Sequence, residues 1–217
     1  MNKILLSAIG LLISFASLGQ VNPLNRPKDP VVISGSNLNS FSAFSSTSLV
    51  GFKYVQGAWT QIPIQVDERA LSDIAAPYGP MAASVGVPLS PANPKIYFYC
   101  DPTTYIGVDP NTFFDSDDEL VFMAQDAGEQ FTGTTYPAGI TPGTSQQITI
   151  TNPLSGGVGY IYLFQNAGSL LPDAGIKYVT YASNLASTAG FPANKTGVNV
   201  ENTQISTAFY TWHFAAE

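Results

Sequence analysis

Past the first twenty residues, hydrophobic positions fall in short runs separated by clusters of Gly, Pro, Asn and Ser, and none carries a helical period. That pattern predicts strands, and with them an all-β fold of sandwich-like antiparallel sheets joined by long loops. Strands are expected at Val31–Ile33, Ser48–Val55, Trp59–Val66, Lys95–Cys100, Glu119–Ala124, Gln147–Thr151, Val158–Phe164, Lys177–Tyr181 and Thr207–Phe214. Gln56-Gly57 reads as a turn, and Pro153 to Gly157 as the link of a hairpin. In Trp59–Val66 the alternation sets Ile62, Ile64 and Val66 on one face. Val158–Phe164 is apolar on both faces, the mark of a strand covered on each side. Arg69–Ala76 is expected to make one or two helical turns, and the proline-rich residues 74–94 a long connection over an edge or a binding loop.

The start of the chain has a different pattern. Lys3 precedes an apolar stretch, Ile4 to Leu18, and the small residues Ser17 and Gly19 stand before Gln20 as at a cleavage site. Residues 1–19 are therefore expected to be a signal-peptide helix, and 20–217 a single exported domain, secreted or held at the cell surface. The apolar stretch is short for a membrane span, and no second one follows, so no stable membrane insertion is expected after cleavage. The last expected strand runs almost to Glu217 without a turn after it. The residues are thus expected to be the front part of a longer polypeptide.

Composition narrows the chemistry. Charged residues are only 11%, with 15 acids against 8 bases, so phosphate backbones and anionic membranes have little to bind and no nucleic-acid partner is expected. One Cys and one His exclude a disulfide framework and a thiolate or multi-imidazole zinc site. Cys100 ends an alternating run and is expected as a small buried hydrophobe. His213 lies in an aromatic strand, and without a Gly-x-Ser-x-Gly elbow it reads as a packed or edge-strand residue. Nucleotide-binding glycine loops are absent.

The charge distribution is more informative. No Lys or Arg occurs between Lys95 and Lys177, and nine acids do, four of them in Asp115-Ser-Asp-Asp-Glu119. Neighbouring carboxylates repel by about 1 kcal/mol per pair in water. Either the loop is solvated, or it holds a cation. Asp109, Asn111, Asp115, Asp117 and Asp118 place hard oxygen donors at short intervals, as Ca²⁺ requires. Read directly, the EF-hand pattern fails, since Phe114 takes the glycine position and Leu120 the final acid. A two-residue deletion after Thr112 restores Asp109 and Asn111 as first and third positions, Asp115 as ninth and Asp118 as twelfth.

Aromatic residues reach 12%. Trp59, Tyr97 and Tyr99 are candidate stacking surfaces for a sugar, although aromatics at period two also pack one sheet on another. The enzymatic alternative is a carbohydrate-active enzyme, a glycosidase or lyase, built on Asp67-Glu68 with Asp101. Such acids stand about 5 to 9 Å apart across a cleft. Adjacent strand residues point to opposite faces, which weighs against Asp67 and Glu68 as partners.

Four phrases occur together in order: Trp59-Thr-Gln-Ile-Pro-Ile-Gln-Val-Asp-Glu68, Asp115-Ser-Asp-Asp-Glu-Leu-Val-Phe-Met-Ala-Gln-Asp-Ala-Gly128, Gly159-Tyr-Ile-Tyr-Leu-Phe164 and Asp173-Ala-Gly-Ile-Lys-Tyr-Val179. Across residues 30 to 214 the chain resembles an uncharacterised β-rich module of large secreted or surface proteins of Bacteroidota-like bacteria. Those proteins often end in a type IX secretion sorting domain. In that set the acidic stretch reads Asp-x-Asn-x-Asp-Gly before Asp-Glu-Leu-Val-Phe, and this chain lacks the Asp-Gly. The resemblance implies location and architecture: an exported module with a structural, adhesive or glycan-binding role and a glycan or cell-surface component as partner.

Overall fold

The computed structural model describes residues 24–73, 94–100, 106–172, 174–182 and 204–213. The expected signal helix, Asp101, most of the 74–94 connection and Phe214 lie outside them. The described residues are all-β, with twelve strands joined by irregular segments and short 3₁₀ turns. These are β1 (Pro30–Ser34), β2 (Leu49–Val55), β3 (Ala58–Ile62), β4 (Gln65–Asp67), β5 (Arg69–Asp73), β6 (Lys95–Tyr99), β7 (Glu119–Met123), β8 (Gln146–Thr151), β9 (Val158–Gln165), β10 (Val179–Ala182), β11 (Gln204–Thr207) and β12 (Thr211–His213). They form four antiparallel sheets, in the orders β3-β2-β9-β8, β1-β7-β4, β10-β11-β12 and β5-β6.

The sandwich is made by the first two sheets. Leu49, Ile62, Ile148, Ile161 and Leu163 of the four-stranded sheet meet Val31, Ile33, Val66, Leu120 and Phe122 of the β1-β7-β4 sheet in one apolar core. Leu24, Phe41 and Phe114 close it from the loops. Each fully buried aliphatic or aromatic side chain contributes about 1.5–3 kcal/mol. As the sequence predicts, β9 is covered on both sides: Ile161 and Leu163 enter this core, while Tyr162 and Phe164 enter a second one. That second core holds Val50, Phe52 and Trp59 beneath Phe131, Ile140 and Leu170, so a loop covers the sheet's other face. The β8–β9 hairpin pairs Thr151 with Val158 across the expected turn.

Three expectations require correction. Trp59–Val66 is not one strand, because Pro63 has no N–H to pair and interrupts it. The chain leaves the four-stranded sheet at Ile62 and re-enters the other sheet at Gln65 as β4, yet Ile62, Ile64 and Val66 still share the core. Gly51 makes that crossing possible, since a β-carbon there would stand 2.5 Å from Ile64 Cγ2. Arg69–Asp73 is a strand and not a helical turn, its register fixed by Arg69 opposite Tyr99 and Asp73 opposite Lys95. Finally, the expected strand Thr207–Phe214 folds into a hairpin. Thr207 Oγ1 accepts the N–H groups of Phe209 and Tyr210 at 3.1 Å each, which turns the chain between β11 and β12. His213 ends on an edge strand of its sheet.

Candidate acidic centre

Glu68 is the single residue between β4 and β5, strands that belong to different sheets. Its carbonyl accepts the Cys100 N–H at 2.8 Å. Alternation then separates the two adjacent acids as expected. Asp67 accepts a hydrogen bond from Gln65 Nε2 at 2.5 Å on one side, and Glu68 turns toward the segment 106–118 on the other. There one carboxylate oxygen from each of Glu68, Asp109 and Asp118 lies within 4.8 Å of the others. Glu68 Oε2 is shielded from solvent and has no hydrogen-bond partner among the described residues.

The acidic segment is held in place from the core outward. Phe114 is fully buried, and its N–H donates to the Phe44 carbonyl at 2.9 Å. Leu120 is fully buried on the other side of the acids. These two anchors offset the repulsion between the carboxylates, about 1 kcal/mol per pair. Between them the acids bind the loop's own backbone. Asp109 Oδ1 accepts the Asn111 N–H at 2.8 Å, Asp115 Oδ1 the Asp117 N–H at 3.1 Å, and Asp118 Oδ2 the Asp115 N–H at 2.8 Å. Such side chain to backbone bonds are the usual way Asp and Asn stabilise turns.

The five residues expected as ligands therefore divide. Asp109 and Asp118 join the three-carboxylate centre. Asn111 presents its amide nitrogen to Asp115 Oδ2 at 2.6 Å and its Oδ1 to the Phe113 N–H at 3.2 Å. Asp115 and Asp117 stay beside the centre and act on it electrostatically. Glu68, from the β4–β5 junction, is the third carboxylate of that group. Its signal in the sequence was the acid next to Asp67, read there only as a catalytic candidate.

The expectation that water or a metal alone neutralises Asp115–Glu119 is also corrected. Arg69, outside that interval in sequence, folds over it. Its Nη1 pairs with Glu119 Oε1 at 2.6 Å, its Nε donates to the Asp117 carbonyl at 2.6 Å, and its backbone N–H donates to Asp118 Oδ1 at 3.1 Å. Among the described residues, no Lys or Arg side chain forms an ion pair with Glu68, Asp109 or Asp118.

Electrostatics follow this geometry. Burial raises the pKa of Glu68, and the charges of Asp118, Asp109 and Asp115 raise it further against a hydrogen bond from Ser46. Burial likewise raises Asp118, against the backbone donors of Asp115 and Arg69. Asp117 is pushed up to about 6, first by its hydrogen bond with Asp115, then by burial and neighbouring charge. Burial opposes ionisation of Asp115, but hydrogen bonds from Asp117 and Asn111 outweigh it and hold the carboxyl low. Cys100, partly buried at the rim, is pushed up to about 11 by burial and by Asp109, Glu68, Asp118 and Asp117. A thiol held up in this way favours its protonated, less reactive form.

Three carboxylates this close present oxygen donors of the kind a hard divalent cation takes.

The candidate stacking aromatics also separate. Trp59 is packed: its Nε1–H donates to the Thr135 carbonyl at 2.9 Å, and the rings of Phe131, Tyr162 and Tyr54 lie 4.7, 5.0 and 5.1 Å away. Tyr97 and Tyr99 on β6 are 51% and 61% exposed. The Arg69 guanidinium sits 5.1 Å over the Tyr97 ring, and Tyr99 Oη donates to Glu119 Oε2 at 3.3 Å. In comparisons with known proteins, no family model, no curated protein and no solved structure matches this chain.

Proposed function

We propose that this chain is an exported, non-catalytic β-sandwich-like module of the cell surface or medium, with a structural or adhesive role, stabilised by one Ca²⁺ at Glu68, Asp109 and Asp118. The observation that carries the reading is at Glu68: its Oε2 is shielded and without a hydrogen-bond partner among the described residues, and one of its carboxylate oxygens lies within 4.8 Å of oxygens of Asp109 and Asp118. A partly buried carboxylate beside two others is costly to ionise even with its hydrogen bond from Ser46, and a cation removes that cost. Oxygen-only donors suit Ca²⁺ or Mg²⁺ better than softer metals, and donors drawn from the separate segments of Glu68 and Asp109–Asp118 suit the flexible Ca²⁺ shell better than a strict octahedron. Export is supported by residues 1–19, and the surface setting by the resemblance of residues 30 to 214.

Calorimetric titration of the chain with Ca²⁺ tests this. Saturable binding is expected with a dissociation constant in the range of extracellular modules, about 10⁻⁴ to 10⁻³ M. Glu68→Gln is expected to abolish that heat while leaving the far-ultraviolet β signal intact. Absence of heat at millimolar Ca²⁺ in the unmodified chain would overturn the reading.

A further inference from the structure

The sandwich begins close behind the expected cleavage site. Leu24, the first described residue, is already 1% exposed and packs into the main core. Its carbonyl accepts a hydrogen bond from the buried Asn152 Nδ2 at 2.8 Å. Its side chain rests on β9 at Gly159, where a β-carbon would stand 3.2 Å from Leu24 Cγ. Between Gly19 and this anchor stand only Gln20, Val21, Asn22 and Pro23. These four lie outside the described residues, so only their covalent chemistry enters.

That chemistry depends on which residue a cut uncovers. On the export reading, cleavage after Gly19 gives Gln20 a free α-amino group. Closing that nitrogen onto the side-chain amide carbon, Cδ, makes an unstrained five-membered lactam. Asparagine would need a strained four-membered ring for the same closure, and a valine side chain has no carbonyl at all. An α-amino group titrates near about 7.7–8.0, so roughly a tenth of it is the neutral, nucleophilic amine at pH 7. Nucleophile and electrophile belong to one residue, which gives the amine an effective concentration no free amine reaches.

We propose, resting on the export reading above, that the mature chain begins with pyroglutamate at position 20. The α-nitrogen attacks Cδ, the N–Cδ bond forms and the Cδ–Nε2 bond breaks. The amide nitrogen leaves as ammonia, taking the proton that the α-nitrogen gives up, so the step needs no oxidant, reductant or co-reactant. The product carries no α-ammonium, and a peptidase that grips one has nothing to hold. The ring thereby guards the short stretch ahead of Leu24, whose loss would uncover the core at Gly159.

The test uses the full chain, Met1 to Glu217, exported from a bacterial host and purified from outside the cytoplasm. After a week in neutral buffer, its intact mass is expected to equal residues 20–217 less one ammonia. Stepwise amino-terminal sequencing should be blocked until a pyroglutamyl peptidase removes the ring, and should then read Val-Asn-Pro-Leu. Gln20→Asn keeps an amide at the cut but lacks the five-membered closure. It should read Asn-Val-Asn-Pro directly and focus at a pH consistent with one more positive charge. A cut at Gln20 whose open amine persists through the week would overturn the cyclisation and leave export standing. Cleavage before any other residue would overturn it in the same way. A chain that keeps residues 1–19 would overturn the export reading and this proposal together.

Discussion

The carboxylate of Asp118 stands within 4.8 Å of that of Glu68, two acids brought together from β-strand junctions fifty residues apart, with no cationic side chain paired to either among the described residues. Burial raises both pKa values, and the Asp118 charge adds to the rise at Glu68.

The consequence for pH dependence has a definite sign. Unfolded carboxyls titrate near about 4. In the folded chain Glu68 and Asp118 take up protons at higher pH, and Asp117 does so at about 6. Through that window the folded state binds more protons than the unfolded one, so stability rises as pH falls. Asp115, held low, works the other way only below the unfolded value. In metal-free buffer the melting temperature is therefore expected to be higher near about pH 5 than near pH 7, as far as these groups decide it. With Ca²⁺ at the proposed site the trend is expected to invert, because protons and the cation compete, and the gain from Ca²⁺ should shrink as pH falls through about 6. Scanning calorimetry in EDTA and in Ca²⁺ measures both. A Ca²⁺ gain that is constant with pH would contradict the assignment.

Arg69 gives a second prediction. Its ion pair with Glu119 is largely enclosed, the side chains being 17% and 18% exposed, and the same guanidinium holds the Asp117 carbonyl. Arg69→Met should cost about 3 kcal/mol by leaving Glu119 without its cationic partner and freeing the acidic loop. Glu119→Gln in the same chain should recover a good part of that. Arg69→Lys should not rescue it, since one ammonium cannot span both acceptors in the same planar geometry. Urea unfolding of the two single variants and the double variant gives the coupling directly, and strictly additive losses would show that the pair contributes nothing.

How far the sequence reveals all this depends on distance along the chain. Alternation is local, and it placed β9 between two cores and set Asp67 and Glu68 on opposite sides. The acidic segment was equally plain, since it needs only a scan for charge. What the sequence hides is the pairing of remote elements. Nothing near Asp115–Glu119 announces Arg69, which arrives because β5 follows β4 out of the sheet that β7 centres. Glu68 was visible as an acid but not as a partner of Asp118, for the same reason. Trp59 shows the same limit from the other side, because its neighbour Phe131 comes from the loop over the second core, and an alternating strand alone cannot tell a covered face from an open one.

That difference yields a third prediction. Trp59→Ala should cost about 3–5 kcal/mol, the range for removing a large aromatic from a packed core. Tyr99→Ala, on a residue 61% exposed, should stay within about 1 kcal/mol. Thermal unfolding of the two variants side by side checks the contrast. Similar losses in both would mean that Trp59 does not anchor the second core.

Gly35 provides the sharpest link between backbone packing and the acidic centre. Its N–H donates to the Asp118 carbonyl at 2.8 Å, and the next N–H, of Ser36, donates to Ser116 at 3.2 Å. A β-carbon at position 35 would overlap the backbone carbonyl oxygen of Asp115, and the Phe114 ring stands 3.4 Å away. Because the obstacle is backbone fixed by a buried Phe, no rotamer change relieves it. Gly35→Ala must push the acidic loop away from β1, at a cost of about 1–3 kcal/mol. Gly57→Ala makes the matched control: its φ of +84° makes a side chain costly by about 1 kcal/mol, but nothing lies within 4 Å of the added carbon. Both variants lose stability, and only Gly35→Ala displaces Asp118 relative to Glu68. Ca²⁺ affinity measured well below both melting points should therefore fall severalfold in Gly35→Ala and stay unchanged in Gly57→Ala. An equal affinity in the two would mean that the position of the acidic loop does not set the cation site.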